Sequence, residues 1–406
     1  MRNTISDPPK PSSMKLVVLL GDGMADLPLE VLDGRTPLQA ASTPHMDYLA
    51  GIGRSGLART VPDSLPPGSD VANLSIMGYP PERYYTGRAP LEAAAMGVPL
   101  GPDDIAFRCN LVTVRDGVME DYSAGHISSE EGRLLIDALR PLVPGGRLFP
   151  GVGYRNLMVL KSGDECLCTP PHDITGRMIR DHIPRGRDAD LLIGLMEASV
   201  PILASHPVNS RRLAEGRRPA NMIWLWGQGR APSMPTLQER FGLQGAMISA
   251  VDLLKGIGRY AGLELIDVPG ATGTIDTNYE GKVQAALDAL KRLDLVYLHI
   301  EAPDEAAHEG DVDGKIRAIE LFDERVVGPV AEGLALHDAW RVLLMPDHAT
   351  PISIRTHSRD PVPFTIAGSG IKPDSVARFD ESEARKGGYG RVEATELIEM
   401  MAGRRG

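Results

Sequence analysis

The sequence predicts an α/β fold, a mostly parallel sheet flanked by helices, with a smaller inserted α/β domain. Three observations predict it. Short unbroken aliphatic runs recur and end in acidic residues, segments of helical periodicity fall between them, and the texture of the chain changes over a long central stretch.

The elements follow in chain order. The first thirteen residues are rich in Pro and Ser without an apolar segment, which reads as a loose tail and not as a secretory signal; Met14 offers a better start. The run from Lys15 to Leu20 stops at Gly21-Asp22-Gly23, as expected of a strand buried on both faces that ends in a tight turn. The pattern returns at Asp294 to Ile300, followed by Glu301-Ala302-Pro303-Asp304, and at Arg341 to Met345, followed by Pro346-Asp347-His348. Helices are expected over Lys282 to Arg292 and over Lys315 to Val330. Between about 100 and 218 the chain reads differently: a β-like stretch from Ala106 to Val114 and another from Met119 to Tyr122, a helix over Ser129 to Leu142, and a strand near Leu157 to Lys161. Its flanks, Pro99-Leu100-Gly101-Pro102 and Glu215-Gly216-Arg217-Arg218-Pro219, have the composition of linkers. The expected organisation is therefore a tail over 1–13, a main domain over 14–99 and 219–406, and an insertion over 100–218.

Bulk properties narrow the function. A chain of 406 residues has room for two compact domains, and its 42% hydrophobic and 24% charged residues are those of a globular protein. A net charge of −11 argues against a nucleic-acid partner, and no apolar run reaches the length of a membrane span. Cys109, Cys166 and Cys168 supply neither a disulfide framework nor a four-thiolate zinc site, so a reducing, cytoplasmic setting is expected.

The chemistry gathers where open α/β sheets bind ligands, at the carboxyl ends of the strands. Asp22, Asp304, Asp347 and His348 fall there, with His308 one helical turn after Asp304 and His357 nine residues after His348. Taken singly, a strand-end aspartate more often caps the next helix, and a lone histidine is more often a satisfied surface or core residue. Together with Ser69 the set is large enough for two divalent ions, Mn²⁺, Zn²⁺ or Co²⁺, and no organic cofactor is required. Paired ions suit phosphoryl transfer to or from a small phosphorylated substrate. Ser69 follows the turn Pro66-Pro67-Gly68 and precedes an apolar run, which places its hydroxyl at a helix N-terminus. There a phosphoserine would meet unpaired amides and a favourable dipole, although an ordinary N-cap serine has the same local signature.

These motifs resemble a known family. Gly21-Asp22-Gly23-Met24-Ala25-Asp26, Gly68-Ser69-Asp70, Tyr84 to Arg88, Phe107 to Leu111, Ser123-Ala124-Gly125-His126-Ile127-Ser128, Ile300 to His308 and Pro346-Asp347-His348 look like the archaeal-type cofactor-independent phosphoglycerate mutases of the alkaline phosphatase superfamily. The resemblance implies an alkaline-phosphatase-like domain in which Asp22, Ser69, Asp347 and His348 bind one ion and Asp304, His308 and His357 the other. It implies that Ser69 carries the phosphoryl group while 3-phosphoglycerate becomes 2-phosphoglycerate, and that the inserted domain closes over the substrate to exclude water. His126 would exchange the hydroxyl proton, and Arg155, His172, Asp173 and Arg230 are further substrate-binding candidates.

Two positions depart from the family pattern. Ser-Asp-x-x-His reads Ser69-Asp70-Val71-Ala72-Asn73, and Tyr-Thr-Gly-Arg-Gly reads Tyr85-Thr86-Gly87-Arg88-Ala89. A homoserine kinase-like phosphotransferase of the same family and a metal-dependent phosphomonoesterase are the alternatives. The lack of any nucleotide-binding glycine loop favours the mutase.

Overall fold

The computed structural model describes residues 14–143, 145–163 and 165–403. The tail expected over 1–13 lies outside them. Two compact units are present, one built from the chain up to Tyr85 and from Met234 onward, the other from Thr86–Ser233. The smaller unit thus begins earlier and ends later than the Pro- and Gly-rich stretches suggest. The reason is packing. The Arg88–Ala95 helix lays Ala89 and Ala93 against Ala106, Leu157 and Val159, and the Met222–Gly229 strand pairs antiparallel with Ile105–Arg115, so both belong with the insertion.

The larger unit holds an eight-stranded sheet. Its order is Glu264–Leu265, Gly245–Ile248, Leu295–Ile300, Met14–Gly21, Ala339–Met345, Val362–Gly368, Gly53–Arg59 and Gly390–Glu393. Every neighbouring pair is parallel except those made by Val362–Gly368, which runs against both its neighbours. The central strands are buried on both faces, which is why they read as continuous aliphatic runs. Val17, Leu19, Val296, Leu298, Val342 and Leu344 join one core with the Tyr279–Leu290 and Val312–Phe322 helices, and the alternate residues Val18, Leu20 and Leu343 are equally enclosed.

The helix expected over Lys315 to Val330 is interrupted. A wide turn over Asp323–Val327 separates Val312–Phe322 from Gly328–Leu334. Pro329 has no N–H to return to Arg325, and the Asp323 carboxylate accepts the amides of His45 and Met46 at 3.2 and 2.7 Å, so local geometry yields to a tertiary contact.

In the smaller unit Ile105–Arg115 pairs antiparallel with Val118–Asp121, Arg155–Leu160 and Met222–Gly229, and Arg147–Val152 pairs with Arg155–Leu160. Phe107, Cys109 and Leu111 point into a core shared with Leu135, Ile136 and Leu139 of the Ser129–Leu139 helix. Arg108 and Asn110 alternate with them and so belong to the opposite face.

Candidate functional site

Strand register assembles the site. Gly21 pairs with Ile300 and Leu20 with Met345, so three adjacent parallel strands end side by side, and the residues just beyond them, Asp22, Glu301 to Asp304, and Asp347-His348, converge. Gly23 makes the close approach feasible. Its φ is +62°, and a Cβ there would stand 2.5 Å from Asp304 Oδ1.

All seven residues expected to hold cations lie in this unit, and short distances connect them. His348 Nε2 is 3.1 Å from Ser69 Oγ, 3.4 Å from Asp22 Oδ1 and 3.5 Å from Asp347 Oδ2. His308 Nε2 is 3.1 Å from Asp304 Oδ2 and 3.1 Å from His357 Nε2, and His357 Nε2 is 3.7 Å from Asp304 Oδ2. Asp304 and His308 belong to the Ala302–Glu309 helix, one turn apart as their spacing predicts. Ser69 is the first residue of the Ser69–Ile76 helix, whose N-cap is Gly68; Ser69 does not cap the helix, and its hydroxyl faces His348.

Surrounding groups aim these side chains. The Asp347 carboxylate accepts the amides of Gly23 at 3.2 Å and His348 at 2.9 Å on Oδ1, and the Asn73 carboxamide at 2.9 Å on Oδ2. Asn73, the departure from the family pattern, also accepts the phenol of Tyr297. The Thr350 hydroxyl donates to Asp304 Oδ1 and so accepts from His348 Nδ1 at 3.1 Å, which turns the Nε2 lone pair of His348 toward Ser69 and the carboxylates. Likewise His308 Nδ1 donates to the Arg355 carbonyl at 3.0 Å.

Three buried carboxylates cannot all ionise side by side. Burial first, then the charges of Asp347 and Asp304, push the Asp22 carboxyl well above its usual range. Burial would raise Asp304 too, but hydrogen bonds from His308 and His357 outweigh it and hold it well below. The hydrogen bond with Asp304 lifts His308 to about 9, whereas burial lowers His348. Asp22 Oδ1 and His299 Nε2 are buried without a hydrogen-bond partner among the described residues. Two ligand groups fit an ion by distance, Asp304 with His348 and His357, and Asp22 with His299 and Asp347, each with its donor atoms within 4.8 Å of one another. Orphaned atoms and an uncompensated set of oxygen and nitrogen donors are what divalent ions would satisfy.

The smaller unit carries the other expected residues. His126 is exposed on a turn where Ala124, Gly125 and His126 have φ of 50°, 65° and 47°. Asp121 holds that turn, accepting the amides of Ser123 and Gly125 at 2.7 and 2.9 Å and Arg218 Nη1 at 2.8 Å. The buried Arg212 adds bonds to the Ala124 carbonyl and to Glu131. Positive φ at two non-glycine residues is costly, and such strain commonly marks a functional segment.

Arg155, His172 and Asp173 group with two residues that sequence reasoning did not single out as site residues, Arg88 and Arg108. The Arg108 guanidinium lies 4.3 Å over the Trp226 ring, with Nε 3.1 Å from Glu92 Oε2. Burial holds its pKa below the usual value; Glu92 opposes this, and the charges of Arg88 and Arg155 add to it. His172 packs edge-on against Trp226 and Tyr122, its Nε2 3.7 Å from Asp173 Oδ1. Arg230 lies in the same unit. Its Nη1 donates to the Pro102 carbonyl at 3.2 Å and its own carbonyl accepts from Thr86, which ties the two ends of the unit together.

The signal for Arg108 was alternation, since it and Asn110 are polar positions set between the apolar residues Phe107, Cys109 and Leu111 of their strand. His299 offered the same signal beside Tyr297, in a strand otherwise aliphatic.

Known proteins are similar to this chain over nearly its whole length. A family model described as 2,3-bisphosphoglycerate-independent phosphoglycerate mutase matches residues 50–209. A protein of that name from Methanothrix thermoacetophila is 68% identical over 389 residues, covering 96% of this chain and 99% of its own. A protein from Geobacter sulfurreducens, named as a probable enzyme of the same kind, is 55% identical over 400 residues, covering 96% of this chain and 100% of its own. Among solved structures, a Pyrococcus horikoshii protein matches with a TM-score of 0.83 at 31% identity, over 96% of this chain and 97% of that one. The cofactor-independent phosphoglycerate mutase of Thermoplasma acidophilum matches with a TM-score of 0.68 at 28% identity, over 97% of this chain and 100% of its own.

Proposed function

The chain belongs to the 2,3-bisphosphoglycerate-independent phosphoglycerate mutases, which interconvert 3-phosphoglycerate and 2-phosphoglycerate, and we propose that it does so by passing the phosphoryl group through Ser69. The observation that carries this reading is the 3.1 Å approach of the Ser69 hydroxyl to His348 within a buried cluster of carboxylates and imidazoles.

The residues present suit two divalent ions. Asp22, Ser69, Asp347 and His348 would hold one, and Asp304, His308 and His357 the other, with Mn²⁺, Zn²⁺ or Co²⁺ all compatible with mixed oxygen and nitrogen donors. Bound there, such ions lower the pKa of a hydroxyl and neutralise charge on a transferring phosphoryl group. The chain does the rest. Ser69, as the first residue of its helix, sits where the dipole favours a phosphate dianion. The bonds to Asp347, from Gly23, His348 and Asn73, fix that carboxylate without cations and leave little to reorganise during transfer.

In the smaller unit His126 is the proposed proton carrier for the glycerate hydroxyls. Arg88, Arg108 and Arg155 form a cationic face suited to a carboxylate or phosphate, and Arg108 is the best prepared of them because Trp226 and Glu92 fix its guanidinium plane. The three cysteines are free thiols, which fits the proposed cytoplasmic setting.

The test is to supply Mn²⁺-loaded protein with 3-phosphoglycerate alone and, in parallel, with homoserine and ATP. Formation of 2-phosphoglycerate without nucleotide is the expected result. Phosphohomoserine formation with no isomerisation would overturn the assignment, and release of inorganic phosphate as the main product would make the protein a phosphomonoesterase.

A further inference from the structure

His299 lies in the Leu295–Ile300 strand, fully buried, between the strand that ends at Ile248 and the one that leads to Asp22. A histidine in the middle of a parallel sheet is usually satisfied on both nitrogens. This one is not. Its Nδ1 is 3.3 Å from Ser249 Oγ. Ser249 Oγ accepts the Val251 amide at 3.0 Å and keeps its own hydrogen for Nδ1; with that bond made, the imidazole hydrogen resides on Nε2. That Nε2 faces Asp22 Oδ2 at 3.0 Å, within hydrogen-bond length but off line, and it has no other partner among the described residues. The second oxygen of the same carboxylate, Oδ1, is also unpartnered and lies 3.4 Å from His348 Nε2.

We propose that His299 is a positioning residue of the metal centre: held by Ser249, it donates Nε2–H to Asp22 Oδ2 and so presents Oδ1 to the cation shared with Asp347 and His348. Two anchored ligands then serve one ion, Asp347 through Asn73 and Asp22 through His299. Outer partners of this kind typically change metal affinity about 10- to 100-fold when removed. The inference rests on the two-cation reading given above.

Glutamine and asparagine separate the idea from simple packing. His299→Gln places an amide N–H near the position of Nε2, whereas His299→Asn reaches only as far as Nδ1, and both leave a polar side chain of smaller volume in the same cavity. Mn²⁺ content would be measured by elemental analysis after gel filtration, affinity by competition with a chromophoric chelator, and folding by circular dichroism. Two ions per wild-type chain establish the premise; fewer would overturn the two-cation reading itself and not the role of His299. The expected result is that His299→Asn weakens one of two ions at least about tenfold while His299→Gln stays within about threefold of wild type. Equal behaviour of the two variants, or full affinity in His299→Asn, would overturn the proposal. Loss of a nitrogen donor from the Co²⁺ absorption spectrum of His299→Gln would do so as well, because His299 would then be a ligand.

Discussion

Asn73→Ala is the substitution that tests how the carboxylate cluster is held. Asn73 is fully buried, and its carboxamide donates to Asp347 Oδ2 at 2.9 Å and to the Ser69 carbonyl at 2.8 Å while accepting from the Tyr297 phenol. Alanine leaves a buried carboxylate oxygen and a buried phenol unpaired. A hydrogen bond to a charged group is worth about 1.5–3 kcal/mol, and an unsatisfied buried hydroxyl costs about 1–3 kcal/mol. The two belong to one network, so their losses do not add fully, and a total of about 3–4 kcal/mol is expected for the chelated protein. With Mn²⁺ bound, the Asp347 charge is balanced from the other side and the loss should shrink to about 1–2 kcal/mol, mostly the phenol. Urea titrations followed by circular dichroism, with chelator and with Mn²⁺, give both numbers from the midpoint shift at a common slope. A loss below about 1 kcal/mol in chelator, or one that does not change with Mn²⁺, would refute the argument that Asn73 compensates a buried charge.

Two further outcomes follow from the same geometry. In the cation-free chain the hydrogen bond with Asp304 keeps His308 protonated up to about pH 9, yet a ligand imidazole must be neutral, so Mn²⁺ binding at pH 7 releases a proton and tightens about tenfold per pH unit until that pH. Calorimetric titration in two buffers of different protonation enthalpy reads the release directly, and a flat affinity between pH 7 and 9 would remove His308 from the ligand set. Arg108→Lys keeps a charge for Glu92 but loses the planar fork over Trp226; kcat/KM for 3-phosphoglycerate should fall about a hundredfold, mainly through KM, and an unchanged KM would dissociate this face from substrate.

The larger unit was legible because parallel strands buried on both faces write themselves as aliphatic runs, and an acid after each run marks the ligand end of the sheet. Asp22, Asp304 and Asp347 could be read that way, and His308 followed from helical spacing. Register could not be read from any one strand; it is the pairing of Gly21 with Ile300 and Leu20 with Met345 that turns three separate strand ends into one site. His357 sits in a loop with no periodicity of its own, so only the resemblance placed it with Asp304. His299 and Arg108 showed only as polar residues within largely apolar strands, and Arg88 was set apart by the expectation that the insertion begins near residue 100. The wide turn at Asp323 escaped for the opposite reason, since helical periodicity continues through it while the contact that opens it comes from His45 and Met46, far away in sequence.

The phosphoryl relay itself can be caught. Protein mixed with 3-phosphoglycerate, quenched in acid within one turnover and digested, should yield phosphate on the peptide that carries Ser69, and Ser69→Ala, with three of the four ligands of that ion kept, should leave metal content nearly intact while turning over at less than about one part in a thousand of the wild-type rate. An unmodified Ser69 peptide throughout turnover, or brisk isomerisation by Ser69→Ala, would contradict the account.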